Sequence, residues 1–133
     1  KLSKKNLKPI IKNLQKNKIQ VSLFINPNIK DIKMSNKLGV NAVEIHTGSF
    51  AKALKNNNKK KIISEFNKIK RCRLECNNTS MKFNLGHGLD YQSAKYLKKI
   101  KNINEYNIGH FIIGESLFHS FSEVIKKFKG IIN

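Results

Sequence analysis

Two histidines in this 133-residue chain each follow a glycine at the end of an extended stretch: His87 in NLGHGL (84–89) and His110 in NIGHFIIG (107–114). An imidazole, with an ordinary pKa near 6.5, can give or take a proton at neutral pH. Gly86 and Gly88 flank His87. Lacking a Cβ, they admit backbone conformations other residues avoid and let a ligand approach the main chain closely. A histidine in such a turn can equally be a hydrogen-bonded structural link, and the residues alone leave both roles open. Gly109-His110, followed by Gly114, offers the strand, glycine, helix order in which free amides and the helix dipole favour an anion. A third polar group lies in VEIHTG (43–48), where Glu44 and His46 are two apart on a predicted strand and so share a face, with Thr47 next to them. An unpaired buried carboxylate is costly, so Glu44 either pairs with a nearby cation or does chemistry.

The elements that must position these residues alternate. Extended segments are expected at 19–25 (IQVSLFI), 40–48 (VNAVEIHTG), 81–88 (MKFNLGHG) and 106–113 (YNIGHFII). Helical spacing of apolar residues predicts helices over 6–17, 27–37, 59–77, about 91–101, and from about Glu115 onward, with Gly39 closing the second. Pro9 fits only a first turn, so the first helix is expected to start near Asn6 or to kink. Residues 51–58 read as a loop or frayed segment, and His119 falls within the last helix. Alternating helices and strands predict an α/β fold with parallel pairing and right-handed crossovers. Four strands suit an open doubly wound sheet or half of an eight-stranded barrel, and in both folds ligands gather at the carboxyl ends of the strands. Glu44, His46, Thr47, His87 and His110 all fall at those ends. In barrels the loops after the seventh and eighth strands often hold phosphate, which would account for the doubled Gly-His.

The formal charge of +19 invites a basic nucleic-acid-binding module as the alternative reading. Yet among 27 basic residues only Arg71 and Arg73 are arginine, the residue favoured for bidentate phosphate contact. Lysine, asparagine and isoleucine are abundant together, as an A/T-rich coding bias would produce, and solvated helix faces then explain the lysines. Cys72 and Cys76 share one helix face with no further ligands at zinc spacing, so packed, reduced thiols are expected. A zinc centre using His46, His87 and His110 lacks a supporting carboxylate or cysteine pattern. No apolar run reaches 18 residues, and the lysine-rich opening lacks a signal peptide's hydrophobic segment, so a cytoplasmic protein is expected. The chain opens Lys1-Leu2-Ser3, which reads as a removed start or a piece of something longer.

In order and interval, IQVSLFI, VEIHTG, NLGHGL and NIGHFIIG resemble the C-terminal half of the pyridoxine 5'-phosphate synthase family, over nearly the whole chain. The resemblance implies a (β/α)8 TIM barrel, with residues 1–133 supplying strands five to eight and their helices, and the N-terminal half absent. It implies a cytoplasmic homo-oligomer, typically an octamer, acting on phosphorylated small molecules without metal or organic cofactor, and neither nucleic acid nor membrane as partner. The implied reaction condenses 3-amino-2-oxopropyl phosphate with 1-deoxy-D-xylulose 5-phosphate, closing a pyridine ring and releasing phosphate and water. Glu44 matches the family's transition-state stabiliser and His87 its proton donor, while Gly88, Gly109 and His110 match positions that bind the amino-ketone phosphate. The family's N-terminal half supplies a general-base histidine, an acidic partner and arginines. These 133 residues are therefore expected not to catalyse alone, and four strands would leave two open edges and half of an apolar interior wet. Leu85, small in many relatives, and the Asn/Lys-rich stretch 56–61 depart from the pattern without touching the matched positions.

Overall fold

Four short strands organise the chain, and each pairs only with its neighbours in sequence. They are β1 (Ser22–Ile25), β2 (Ala42–His46), β3 (Lys82–Gly86) and β4 (Glu105–Asn107), ordered β1-β2-β3-β4 with every pair parallel. The structure, a computed structural model, describes residues 4–133, and their side chains from Leu7 onward. The helices are α1 (Lys4–Lys16), α2 (Ile29–Leu38), α3 (Gly48–Lys55), α4 (Lys59–Cys76), α5 (Tyr91–Leu97), α6 (His110–Glu115) and α7 (Phe121–Ile132). Parallel strands need long crossovers, and here helices supply them. The result is an α/β fold whose parallel four-stranded sheet is consistent with part of a TIM barrel.

Side-chain alternation divides the sheet sharply. Val43, Ile45, Phe83 and Leu85 are fully buried on one face. They form one core with Ile11 of α1, Ile32 of α2, Phe50 of α3, Ile69 of α4 and Leu97 of α5. Leu85, the residue that departs from the family pattern, is part of this core. On the other face two rows run across the strands, Phe24–Glu44–Asn84–Glu105 and His46–Gly86–Asn107. Parallel sheets are ordinarily apolar on both faces because both are covered. This second face is largely polar, which corrects the expectation of an apolar half-interior; Phe24, 55% exposed, is its large apolar side chain.

Local chemistry fixes the helix ends. Asn28 caps α2 by accepting from the Lys30 amide at 2.9 Å, and Gly39 (φ +75°) closes it in the left-handed conformation. Asp90 with Ser93 and Ser120 with Glu123 form capping boxes at the starts of α5 and α7. Burial, with Asp31, Cys76 and Glu75 nearby, pushes the Cys72 thiol up to about 11.

Several elements differ from expectation. Residues 48–55 form α3 where a loop was expected from Ala51, because Phe50, Ala53 and Leu54 give one buried stripe on a helix barely two turns long. The expected strand 106–113 ends at Asn107, and residues 110–113 open α6; Phe111 and Ile112 pack on a second cluster with Ala94, Val124 and Phe128. A short apolar run cannot be assigned to strand or helix by periodicity. The last helix starts at Phe121, so His119 lies in the turn before it, ahead of the Ser120 cap. Pro9 sits inside α1, which begins before the expected Asn6. Among the described residues no helix is long and apolar enough to cross a membrane.

Candidate active site

At the end of β3 the backbone turns through two consecutive left-handed residues, His87 (φ +72°) and Gly88 (φ +74°). Glycine adopts this conformation freely, but for histidine it costs about 1–2 kcal/mol. Thr47 holds the turn from β2. It is fully buried, its amide donates to the Gly86 carbonyl at 2.8 Å, and its hydroxyl lies 2.8 and 2.7 Å from the carbonyl oxygens of Gly86 and His87. The single hydroxyl proton is shared between two acceptors.

The imidazole of His87 is placed by aromatic neighbours. His46 stacks on it at 4.4 Å between ring centroids and 25° between planes. Phe24 tilts against His46 at 5.3 Å and against His87 at 6.2 Å. Gly48 touches both imidazoles: a Cβ there would stand 2.7 Å from His46 Cε1 and 2.9 Å from His87 Cδ2.

Glu44 is placed by a different device. Its Oε2 accepts a hydrogen bond from Asn107 Nδ2 at 2.6 Å, although Glu44 is on β2 and Asn107 on β4. The intervening position on β3 is Gly86, in register with His46 and Asn107. A Cβ on Gly86 would collide with Glu44 Oε1 and stand 2.7 Å from Cδ, so the carboxylate lies in the space the glycine leaves. Beneath it Asn84 Nδ2 donates to Glu105 Oε2 at 3.1 Å, while Asn84 Oδ1 is buried without a hydrogen-bond partner among the described residues.

These groups border one open cleft of about 1410 Å³. Glu44, His87, Gly88, Gly109 and His110, the five residues singled out from the sequence, all line it. Three different elements bring them together: β2, the turn after β3, and the start of α6, where Gly109 is the N-cap and His110 the first residue. The second Gly-His is therefore a helix start and not a strand end. Lys52 and Lys55 of α3 line the same cleft, two ammonium groups beside the two carboxylates of Glu44 and Asp90. Asn56 and Asn57, from the stretch 56–61, also line it. His46 and Thr47 act from outside the lining, through His87. Among the described residues no three His, Cys, Asp or Glu side chains converge as metal ligands, which includes His46, His87 and His110.

Sequence reasoning missed Phe24, Asn107 and the lysines of α3. For Phe24 the period of two gives only that it faces away from Leu23 and Ile25; its place opposite Glu44 is set by strand pairing. Asn107 sits in a segment read as strand 106–113, and nothing in that pattern marks a polar side chain reaching two strands away.

Comparison with known proteins places the chain in a family. A family model described as pyridoxal phosphate biosynthesis protein PdxJ matches residues 1–133. The chain belongs to the PdxJ family. A relative in Pelagibacter ubique (strain HTCC1062), named pyridoxine 5'-phosphate synthase, is 46% identical over 131 residues, covering 98% of this chain and 54% of the relative. One of the same name in Sulfurihydrogenibium sp. (strain YO3AOP1) is 41% identical over 126 residues, 95% of this chain and 50% of the relative. A third, in Campylobacter fetus subsp. fetus (strain 82-40), is 35% identical and covers 96% and 57%. The chain thus spans about half the length of these PdxJ-family relatives, whose shared name ties the family to vitamin B6 biosynthesis.

Proposed function

We propose that these 133 residues form the C-terminal half of a (β/α)8 barrel, strands five to eight, in a pyridoxine 5'-phosphate synthase. One observation carries the reading: Glu44, His87, Gly88, Gly109 and His110 line one cleft. The polar, uncovered second face of the sheet supports it too, since such a face suits the lining of a barrel mouth completed by four further strands.

In this reading 3-amino-2-oxopropyl phosphate condenses with 1-deoxy-D-xylulose 5-phosphate, closing the pyridine ring with loss of phosphate and water. Gly88, Gly109 and His110 bind the amino-ketone phosphate, with Lys52 and Lys55 adding favourable potential. Condensation of an amine with a carbonyl builds positive charge on nitrogen, and the Glu44 carboxylate stabilises it. Each dehydration needs a proton on the departing oxygen, and His87, exposed at the tip of its turn, gives it. The general base and the cations for the second substrate come from the other half of the barrel, so the 133 residues alone do not turn over. A cytoplasmic homo-oligomer, an octamer in the family's manner, belongs to the same proposal.

The test is a chimera. The N-terminal half of the Pelagibacter ubique relative, joined to these 133 residues, should restore growth without added pyridoxine to bacteria lacking their own synthase. His87→Ala in the chimera should abolish the rescue. A folded chimera that fails to rescue, or one that tolerates His87→Ala, would remove the basis for the reading.

A further inference from the structure

We infer that Asn107 is a positioning residue for Glu44, holding its carboxylate over Gly86 and tying it to the turn that carries Gly109 and His110. The inference rests on the proposed role of Glu44 and adds what fixes that side chain. A glutamate on an open sheet face has three rotatable bonds, and such freedom must be lost before the carboxylate can face a substrate in one geometry. Three features restrict it here. Asn107 Nδ2 donates to Oε2 at 2.6 Å, a charge-assisted contact at the short end of its range. Gly86 leaves the channel through which the two side chains meet, and any Cβ there would strike Oε1. Asn107 and Gly86 are in direct register across β3 and β4, so the strand pairing itself sets the reach.

The arrangement leaves Oε1 outside the Asn107 bond, in a cleft that both residues line. Asn107 ends β4, and Gly109, two residues on, caps α6. A ligand that shifts the Gly109–His110 turn therefore pulls on the same short segment that clamps Glu44. Aspartate at 107 would keep the size but set two carboxylates against each other, and alanine would release Glu44 altogether.

Side-chain NMR and crystal structures of the 133-residue chain test this without any need for turnover, so a failure of the synthase reading leaves the result interpretable. In the parent chain the Asn107 side-chain amide should show one proton shifted downfield, and Glu44→Gln should reduce that shift. Asn107→Ala and Gly86→Ala should each leave the backbone amide spectrum of the sheet unchanged away from the substituted residue and its paired neighbours, while Glu44 loses its single rotamer and leaves the space over Gly86. Asn107→Gln, which keeps the donor, should retain it. Addition of inorganic phosphate should move the Gly109 and His110 backbone amide signals and the Glu44 side-chain signals together in the parent, and leave Glu44 unmoved in Asn107→Ala. A Glu44 that keeps its rotamer in Asn107→Ala, or an Asn107 amide indifferent to Glu44→Gln, would overturn the inference.

Discussion

The left-handed conformation of His87 makes a quantitative prediction through two substitutions at one site. His87→Ala and His87→Gly both remove the imidazole and its stacking on His46, so that loss cancels between them. What remains is the backbone at φ +72°. Alanine keeps the left-handed strain of about 1–2 kcal/mol, and glycine relieves it. Glycine in turn gives the unfolded chain more freedom, a cost of about 0.5–1 kcal/mol. The difference leaves His87→Gly more stable than His87→Ala by roughly 0.5–1 kcal/mol. With urea slopes of about 1–3 kcal/mol/M, the denaturation midpoints followed by far-UV circular dichroism should separate by roughly 0.2–1 M. A glycine variant no more stable than the alanine variant would refute the reasoning. Both variants should lack proton donation in the active chimera, so the more stable protein would be as inactive as the less stable one. Strain retained at such a position is a mark of function over stability.

Thr47→Val should lower stability by about 1–2 kcal/mol, since it strips the hydroxyl from two carbonyls that are closed off by the turn, and urea unfolding measures it. The same variant should broaden the His87 ring signals in NMR spectra, because the turn that holds the imidazole is loosened. Cys72 should resist iodoacetamide at pH 8 in the native chain and react after unfolding, with native-state labelling counting against its burial. Because its thiol is raised from 9.0 to about 11, its stabilising contribution is full below pH 9.0 and lost as pH rises to about 11, and Cys72→Ala should flatten that part of the alkaline stability profile. Hydrogen bonds from the Ser120 hydroxyl and amide hold the Glu123 carboxyl below its ordinary range. Its contribution to α7 is thus present above 4.5 and lost as pH falls through the lowered value; Ser120→Ala, which strips the hydroxyl and keeps the amide, should reduce this acid-side dependence in a pH series of thermal melts.

Much of the architecture was legible because its signals are periodic. β2 and β3 carry apolar residues at alternate positions, and α2 is bracketed by Asn28 and Gly39, so strand, helix and cap all announce themselves locally. The Gly-His motifs and Glu44 were legible for another reason: their residue types are costly or idle unless a site uses them. The errors share a cause. α3 and α6 are helices of two turns or fewer, too short for a repeating pattern to be read from sequence, and α6 is built from a β-branched and aromatic run that reads as strand. The clamp from Asn107 to Glu44 is invisible from sequence because it depends on the register of three strands and on one missing side chain between them.

The order of the sheet has a consequence for how the chain acquires its shape. Ser22 meets Ala42, Ala42 meets Lys82, and Asn84 meets Glu105, so no strand waits for a partner made later than its own successor. Each newly synthesised segment can add to an edge that already exists, with its crossover helix covering the apolar side as it arrives. Loop closure is then spread over several modest steps instead of one long one, which keeps the entropic barrier of each low. Assembly can proceed in step with translation, from amino to carboxyl end, and the cleft closes last, when the segment bearing Asn107 and Gly109 reaches the edge of β3.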